Sequence, residues 1–143
     1  MRAYEYRHIV SFADTNLVGN VYYANHVLWQ GRCREMFLRD HAPDVLDQLS
    51  SGLALITTRC GCEYLAELQA FDEIAVRMRL AGIQQNRIAL NFEYWKLGPS
   101  EILAARGYHE IACCRREGDR TVPTKIPASL RAALRPFEVL ETV

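Results

Sequence analysis

The stretch from Tyr4 to Phe12 is rich in Tyr, Ile and Val, which favours a strand. Ala13 to Asn20 (ADTNLVGN) then gathers Asp, Asn and Gly, the chemistry of a turn. Tyr22 to Arg39 contains no Pro and predicts one long helix, stopped by His41-Ala42-Pro43. A short amphipathic piece, Asp44 to Gln48, precedes Gly52. From Leu53 to about Arg116 the pattern is that of strands. Ile74, Val76, Met78 and Leu80 interleave with Glu73, Ala75, Arg77 and Arg79 at a strict period of two, and Ile88, Leu90, Phe92 and Tyr94 repeat it. Pro123 and Pro127 predict a loop, and Ser129 a cap for a last helix through Phe137.

One strand, one long helix and then four strands joined by short turns predict an α+β layer fold, an antiparallel sheet covering the helix. No repeat, linker or low-complexity tract divides residues 1–143, which predicts a single domain. One sheet over one helix leaves an open edge. Joining two such sheets edge to edge removes that liability, so a homodimer is expected.

Composition narrows the classes. The 17 basic and 17 acidic side chains balance to zero, which argues against a general nucleic-acid binder and permits self-association. The charge is uneven, however: residues 106–135 carry seven basic and three acidic side chains. They are either a solvated surface or a docking surface for an acidic partner. Five cysteines without metal-type spacing, and no leader pattern, point to reduced thiols in the cytoplasm, with Cys60 and Cys62 as small buried hydrophobes. No apolar run approaches the ~18 residues that span a bilayer, so no membrane partner is expected. His8, His26, His41 and His109 have no ligand spacing, so no metal is expected.

The long helix holds the informative anomaly. At about 100° per residue, Ala24, Val27, Gly31, Cys33, Phe37 and Leu38 share one broad face, and Asn25, Arg32 and Arg39 lie opposite. Yet Tyr23, Gln30 and Arg34 fall within about 40° of the middle of that apolar face, with His26 close by. A guanidinium aimed at a core must find partners or line a cavity, because isolated burial of charge is costly. Arg34 therefore either reaches the rim or a carboxylate such as Glu63 or Glu67, or it faces a ligand channel that needs a fixed positive charge. Before the helix, Gly19 permits a tight turn, and the first N–H groups, those of Val21 to Tyr23 among them, can stabilise an oxyanion. Asn16 is placed either to cap that turn or to orient a small polar group.

Phe12 to Tyr23, FADTNLVGNVYY, resembles the opening motif of acyl thioesterases of the 4-hydroxybenzoyl-coenzyme A type. The longer run Thr15 to Leu38, TNLVGNVYYANHVLWQGRCREMFL, resembles the thioesterases of enediyne polyketide biosynthesis in actinomycetes. The similarity continues through Ile56–Cys60 and Glu63–Leu68. It implies a hotdog fold, an antiparallel sheet wrapped round a central helix, in a homodimer with sites at the subunit interface, often a homotetramer. It implies hydrolysis of a β-keto polyene thioester on the acyl carrier protein domain of an iterative polyketide synthase, with decarboxylation. The acyl chain would ride on phosphopantetheine, with no resident cofactor, in a bacterial cytoplasm.

The benzoyl-type enzymes have a catalytic Asp where this chain has Asn16, and an amide is too weak a base or nucleophile to replace it. The enediyne group shares the Asn, and there it and the counterpart of Arg34 are implicated in catalysis. Asn16 would hold a water or the thioester carbonyl, the Tyr23 N–H would polarise the carbonyl oxygen, and Arg34 would hold the β-keto oxygen or developing charge. His26, where relatives often have Tyr, lines the channel or acts as a base. Gln30 on the buried face, and Thr57 and Glu63 from the strands, complete the candidates. Glu35, about 120° from the buried centre, is set aside. No general base is evident. Two other readings remain open: a hydroxyacyl dehydratase, which normally needs a His paired with a carboxylate, and a non-catalytic acyl-binding or carrier-docking protein.

Overall fold

The computed structural model describes residues 2–139. Strand β1 (Tyr4–Ile9) leads through a 3₁₀ turn at Phe12–Asp14 to helix α1 (Ala24–His41) and helix α2 (Pro43–Leu49). Strands β2 (Leu53–Tyr64), β3 (Glu73–Gln84), β4 (Arg87–Lys96), β5 (Ile102–Glu117) and β6 (Arg120–Pro123) follow, then helix α3 (Ala128–Leu134). The strands form one sheet in the order β1-β3-β4-β5-β2, every pairing antiparallel, with β6 folding back on the end of β5. Helix α1 lies against one face. This is the α+β arrangement that the alternation and the hotdog resemblance imply.

Local chemistry accounts for the joints. Gln85 at φ 56 makes the tight turn between β3 and β4. Ala42 leaves the helical region at φ −146 because Pro43 follows, and Pro43 then opens α2 in its first turn. Three details differ from the sequence expectations. Helix α1 begins two residues later, since the Tyr22 N–H is taken by the Asp14 carbonyl at 2.8 Å. The loop expected around Pro123 contains β6, whose Arg120 pairs with Glu117. Ser129 sits inside α3 with Pro127 at its cap position, and the helix ends at Leu134 before a 3₁₀ turn through Phe137.

The core lies between α1 and the middle of the sheet. Trp29, Cys33 and Phe37, spaced four apart, pack on Ile74, Val76, Met78, Phe92 and Tyr94, all at most 1% exposed. Burying a side chain such as Phe37 contributes about 1.5–3 kcal/mol. The buried stripe is rotated by roughly 80° from the face that apolar residues alone suggested. Ala24 is exposed, whereas His26 and Gln30 are buried with Trp29. The sheet's grip on the large Trp and Phe rings outweighs the placement of small residues such as Ala24 and Gly31.

Candidate active site

The loop before α1 is pinned at both ends. The Asn16 N–H donates to the Asn20 carbonyl at 2.9 Å, and the Gly19 N–H donates to the Asn16 carbonyl at 3.0 Å. Gly19 sits at φ 91, a conformation that favours glycine. The Asn16 side chain takes part: its Oδ1 accepts the Val18 N–H at 3.0 Å. Asn16 is exposed, and its Nδ2 donor has no partner among the described residues. Among the first N–H groups, that of Val21 goes to the Leu68 carbonyl and that of Tyr22 to Asp14, both at 2.8 Å. The Tyr23 N–H has no partner among the described residues.

Beside that helix start is a pocket of about 410 Å³ lined by Asn20, Tyr23, His26, Tyr64, Glu67 and Leu68, among others. The Tyr64 hydroxyl donates to the Tyr23 carbonyl at 2.7 Å, and the Tyr94 hydroxyl to the His26 carbonyl at 2.6 Å. The His26 ring is 4% exposed, lies edge-on to Tyr64, and leaves both nitrogens unpaired. Burial pushes its pKa below the usual histidine value. No carboxylate supports it among the described residues. It therefore lacks the His–carboxylate pairing of the dehydratase reading.

A second cluster lies further along α1. Arg34 Nη1 donates to His109 Nε2 of β5 at 3.0 Å, and Thr57 Oγ1 of β2 lies 2.8 Å from the same nitrogen. Cys60 stands opposite His109 in the strand register. Burial lowers the Arg34 pKa, with Glu35 and Cys60 acting in the opposite direction. The His109 pKa is pushed down to about 4, first by burial and then by the Arg34 charge. A groove of about 250 Å³ runs from this cluster between α1, the sheet, α2 and α3. Leu46, Leu49, Leu55, Met78, Leu130 and Leu134 line it, and Arg34 and Glu35 are its charged lining residues. The arrangement is an apolar slot with one guanidinium beside it, suited to a long hydrocarbon chain bearing an oxygen function.

The structure thus sorts the sequence candidates into two groups. Tyr23 and His26 share the first pocket, and Arg34 and Thr57 share the second cluster. Gln30 lies between them, fully buried, donating from Nε2 to the Gly61 carbonyl at 3.1 Å. Asn16 is at the exposed loop, and Arg34 is about 15 Å further along the helix axis from its start. Glu63 lines a different groove, with Arg79, Asn91, Glu93 and Arg106, so it does not join Arg34 within the chain. The cause is a bulge between Thr57 and Arg59, which reverses the facing of every later side chain on β2. Cys60 is exposed and Cys62 half-buried rather than core residues, because β2 is an edge strand. The basic stretch is divided: Arg106 lies by Glu93, whereas Lys125, Arg131 and Arg135 line a separate groove of about 950 Å³. His109 escaped sequence reasoning. Its signal was alternation, which sets it on the same strand face as Gly107 and Ile111.

Among the described residues no group of three or more His, Cys, Asp or Glu side chains could hold a metal ion. No described helix is long and apolar enough to cross a membrane.

The family described as the thioesterase-like superfamily matches residues 10–134. A 1,4-dihydroxy-2-naphthoyl-CoA hydrolase of Thermosynechococcus vestitus is 25% identical over 130 residues, covering 90% of this chain and 89% of the relative. The crystal structure of the dynemicin thioesterase, from work on polyene binding, superposes with a TM-score of 0.94 at 47% identity, covering 97% of this chain and 99% of that one. A 4-hydroxybenzoyl CoA thioesterase mutant in complex with 4-hydroxybenzoyl CoA superposes with a TM-score of 0.83 at 14% identity, covering 94% and 99%. That last likeness shows the fold alone. The chain belongs to the thioesterase-like superfamily, as a hotdog-fold thioester hydrolase of the enediyne type.

Proposed function

We propose that the protein is a single hotdog domain that hydrolyses a β-keto polyene thioester carried on the phosphopantetheine arm of an acyl carrier protein domain of an iterative polyketide synthase. Hydrolysis releases a linear polyene acid, which loses its carboxyl as carbon dioxide. The observation that carries the reading is the apolar groove with Arg34 at its side. A polyene fits the leucine-lined slot, and a β-keto oxygen matches the guanidinium. No resident cofactor is part of the mechanism, and the setting is a bacterial cytoplasm.

Two donors serve the thioester carbonyl: the free Tyr23 N–H and the outward Nδ2 of Asn16. While Oδ1 accepts the Val18 N–H, Asn16 donates to the carbonyl oxygen from Nδ2. His26 and Gln30 flank the path of the chain. Arg34 holds the β-keto oxygen by hydrogen bonds, and its positive charge stabilises the negative charge that develops on the nearby thioester oxygen as the tetrahedral intermediate forms.

The protein works as a homodimer, with tetramers built from it. Two features support this. Among the described residues no strand pairs with the outer edge of β2. Phe12, Leu17, Val18, Tyr23 and Phe71 are each at least 63% exposed around the helix start. Antiparallel pairing of β2 with its copy would bring the Tyr23 end of one subunit toward the Arg34 end of the other. Asn16 and Arg34 then meet across the interface.

The test is thiol release from loaded carrier protein and from the matching coenzyme A thioester, measured in parallel. The reading expects turnover of the carrier substrate, and Asn16→Ala and Arg34→Ala variants that stay folded but lose about 10²-fold or more in rate. Undiminished hydrolysis by both variants overturns the site. Binding without thiol release favours the non-catalytic carrier-docking reading.

A further inference from the structure

The partner of Arg34 is an imidazole rather than a carboxylate. Arginine has only donors, so the N–H placed 3.0 Å from His109 Nε2 requires a lone pair on that nitrogen. The proton of the neutral ring is therefore on Nδ1, which is buried and has no partner. Thr57 approaches the same Nε2 at 2.8 Å, and its hydroxyl can share the acceptor. The groups that face the ring are Arg34 from α1, Thr57 and Cys60 from β2, and Leu90 from β4. No acid stands among them.

A carboxylate in the place of His109 would also orient the guanidinium, but the pair would be neutral. A neutral imidazole fixes one Nη and leaves the full positive charge, with the remaining N–H groups free for a ligand. We propose that His109 is a positioning residue that aims Arg34 at the acyl groove without itself compensating the guanidinium charge. This rests on the proposed role of Arg34 in stabilising negative charge at the substrate. It assigns no proton transfer to His109 during the reaction. The ring stays neutral through the working range because a proton on Nε2 would set two donors against each other, and burial lowers its pKa to about 4.

The experiment compares three substitutions at His109 by thiol release from a β-ketoacyl carrier protein near pH 7.5. His109→Gln can return an acceptor oxygen to the position of Nε2 and should keep the rate within about 5-fold of wild type. His109→Leu is close in size but offers no acceptor; kcat should fall by about 10- to 100-fold with little change in KM. His109→Glu restores orientation but neutralises the guanidinium, so it should fall as far as His109→Leu. Heteronuclear NMR of the histidine rings supplies a readout without substrate. It should show Nδ1 protonated and Nε2 bare in the wild type, and a pKa moving up toward the usual histidine range in Arg34→Ala.

Wild-type turnover by His109→Leu, with Arg34→Ala still crippled, overturns the positioning role and leaves the thioesterase site standing. A His109→Glu variant as active as His109→Gln overturns the argument from charge. Wild-type turnover by Arg34→Ala overturns both this inference and the role of Arg34. An Nε2-protonated ring in the NMR spectrum refutes the proposed geometry whatever the rates.

Discussion

Arg34 Nη1 and His109 Nε2 stand 3.0 Å apart between α1 and β5, a charged donor meeting a bare nitrogen. The contact joins α1, the longest helix among the described residues, to the strand that sits between β4 and the edge strand β2. It also marks the end of the apolar groove at which charge is available.

Asn16→Asp separates the two jobs of that side chain. A carboxylate still accepts the Val18 N–H, so the loop and the melting temperature should be retained. The outward donor is lost, and a negative charge is placed beside the developing oxyanion. Turnover should fall by about 10²-fold, consistent with removing one oxyanion donor. Steady-state thiol release checks this, and wild-type turnover by the variant would refute the donor role.

Mixing two inactive variants tests whether the site spans subunits. If Asn16 and Arg34 come from different chains, an Asn16→Ala/Arg34→Ala heterodimer holds one intact site and one doubly impaired site. A fully exchanged equal mixture should recover about a quarter of wild-type activity. If both residues act within one chain, recovery is absent. Unfolding and refolding the two variants together, followed by the same assay, separates these outcomes.

Stability should fall with acidity in a defined window. Burial and the Arg34 charge lower the His109 pKa from 6.5 to about 4, and burial also lowers that of His26. Both rings therefore bind protons more readily in the unfolded chain. The contribution of His109 is complete above about pH 6.5 and is lost as pH falls toward about 4, and that of His26 is lost in the same direction. For His109 alone the loss is on the order of 3 kcal/mol at most. Denaturant unfolding between pH 4 and 7 measures it, and His109→Gln should flatten the slope. An unchanged slope in that variant would mean that His109 does not titrate with folding.

Gly107 is a steric requirement rather than a flexible joint. A Cβ built there overlaps the Gln30 amide and comes 3.3 Å from the Gly61 carbonyl oxygen, the acceptor that Gln30 uses. Gly107→Ala should displace Gln30 and break that hydrogen bond. The expected cost is about 1–3 kcal/mol, read as a fall in the denaturation midpoint at unchanged m-value. Wild-type stability would show that Gln30 moves freely.

The alternation of Ile74, Val76, Met78 and Leu80 against Glu73, Arg77 and Arg79 specified β3 without reference to anything distant, because a strand's two faces follow from a period of two. The proline-free run into His41-Ala42-Pro43 marked α1 for an equally local reason. The loop motif around Asn16 carried the family resemblance, since tight turns constrain residue type position by position. Three matters depended on tertiary structure. The bulge after Thr57 set Glu63 apart from Arg34, and no pattern in the sequence announces one extra residue in a strand. The core chose the Trp29–Cys33–Phe37 stripe of α1 because the sheet covers that side, a choice that helix periodicity alone leaves open. Arg34 and His109, 75 residues apart in the chain, became neighbours only when β5 crossed beneath α1. Sequence determines the elements and the chemical groups they carry; packing alone decides which of those groups share a charge, a proton or a cavity.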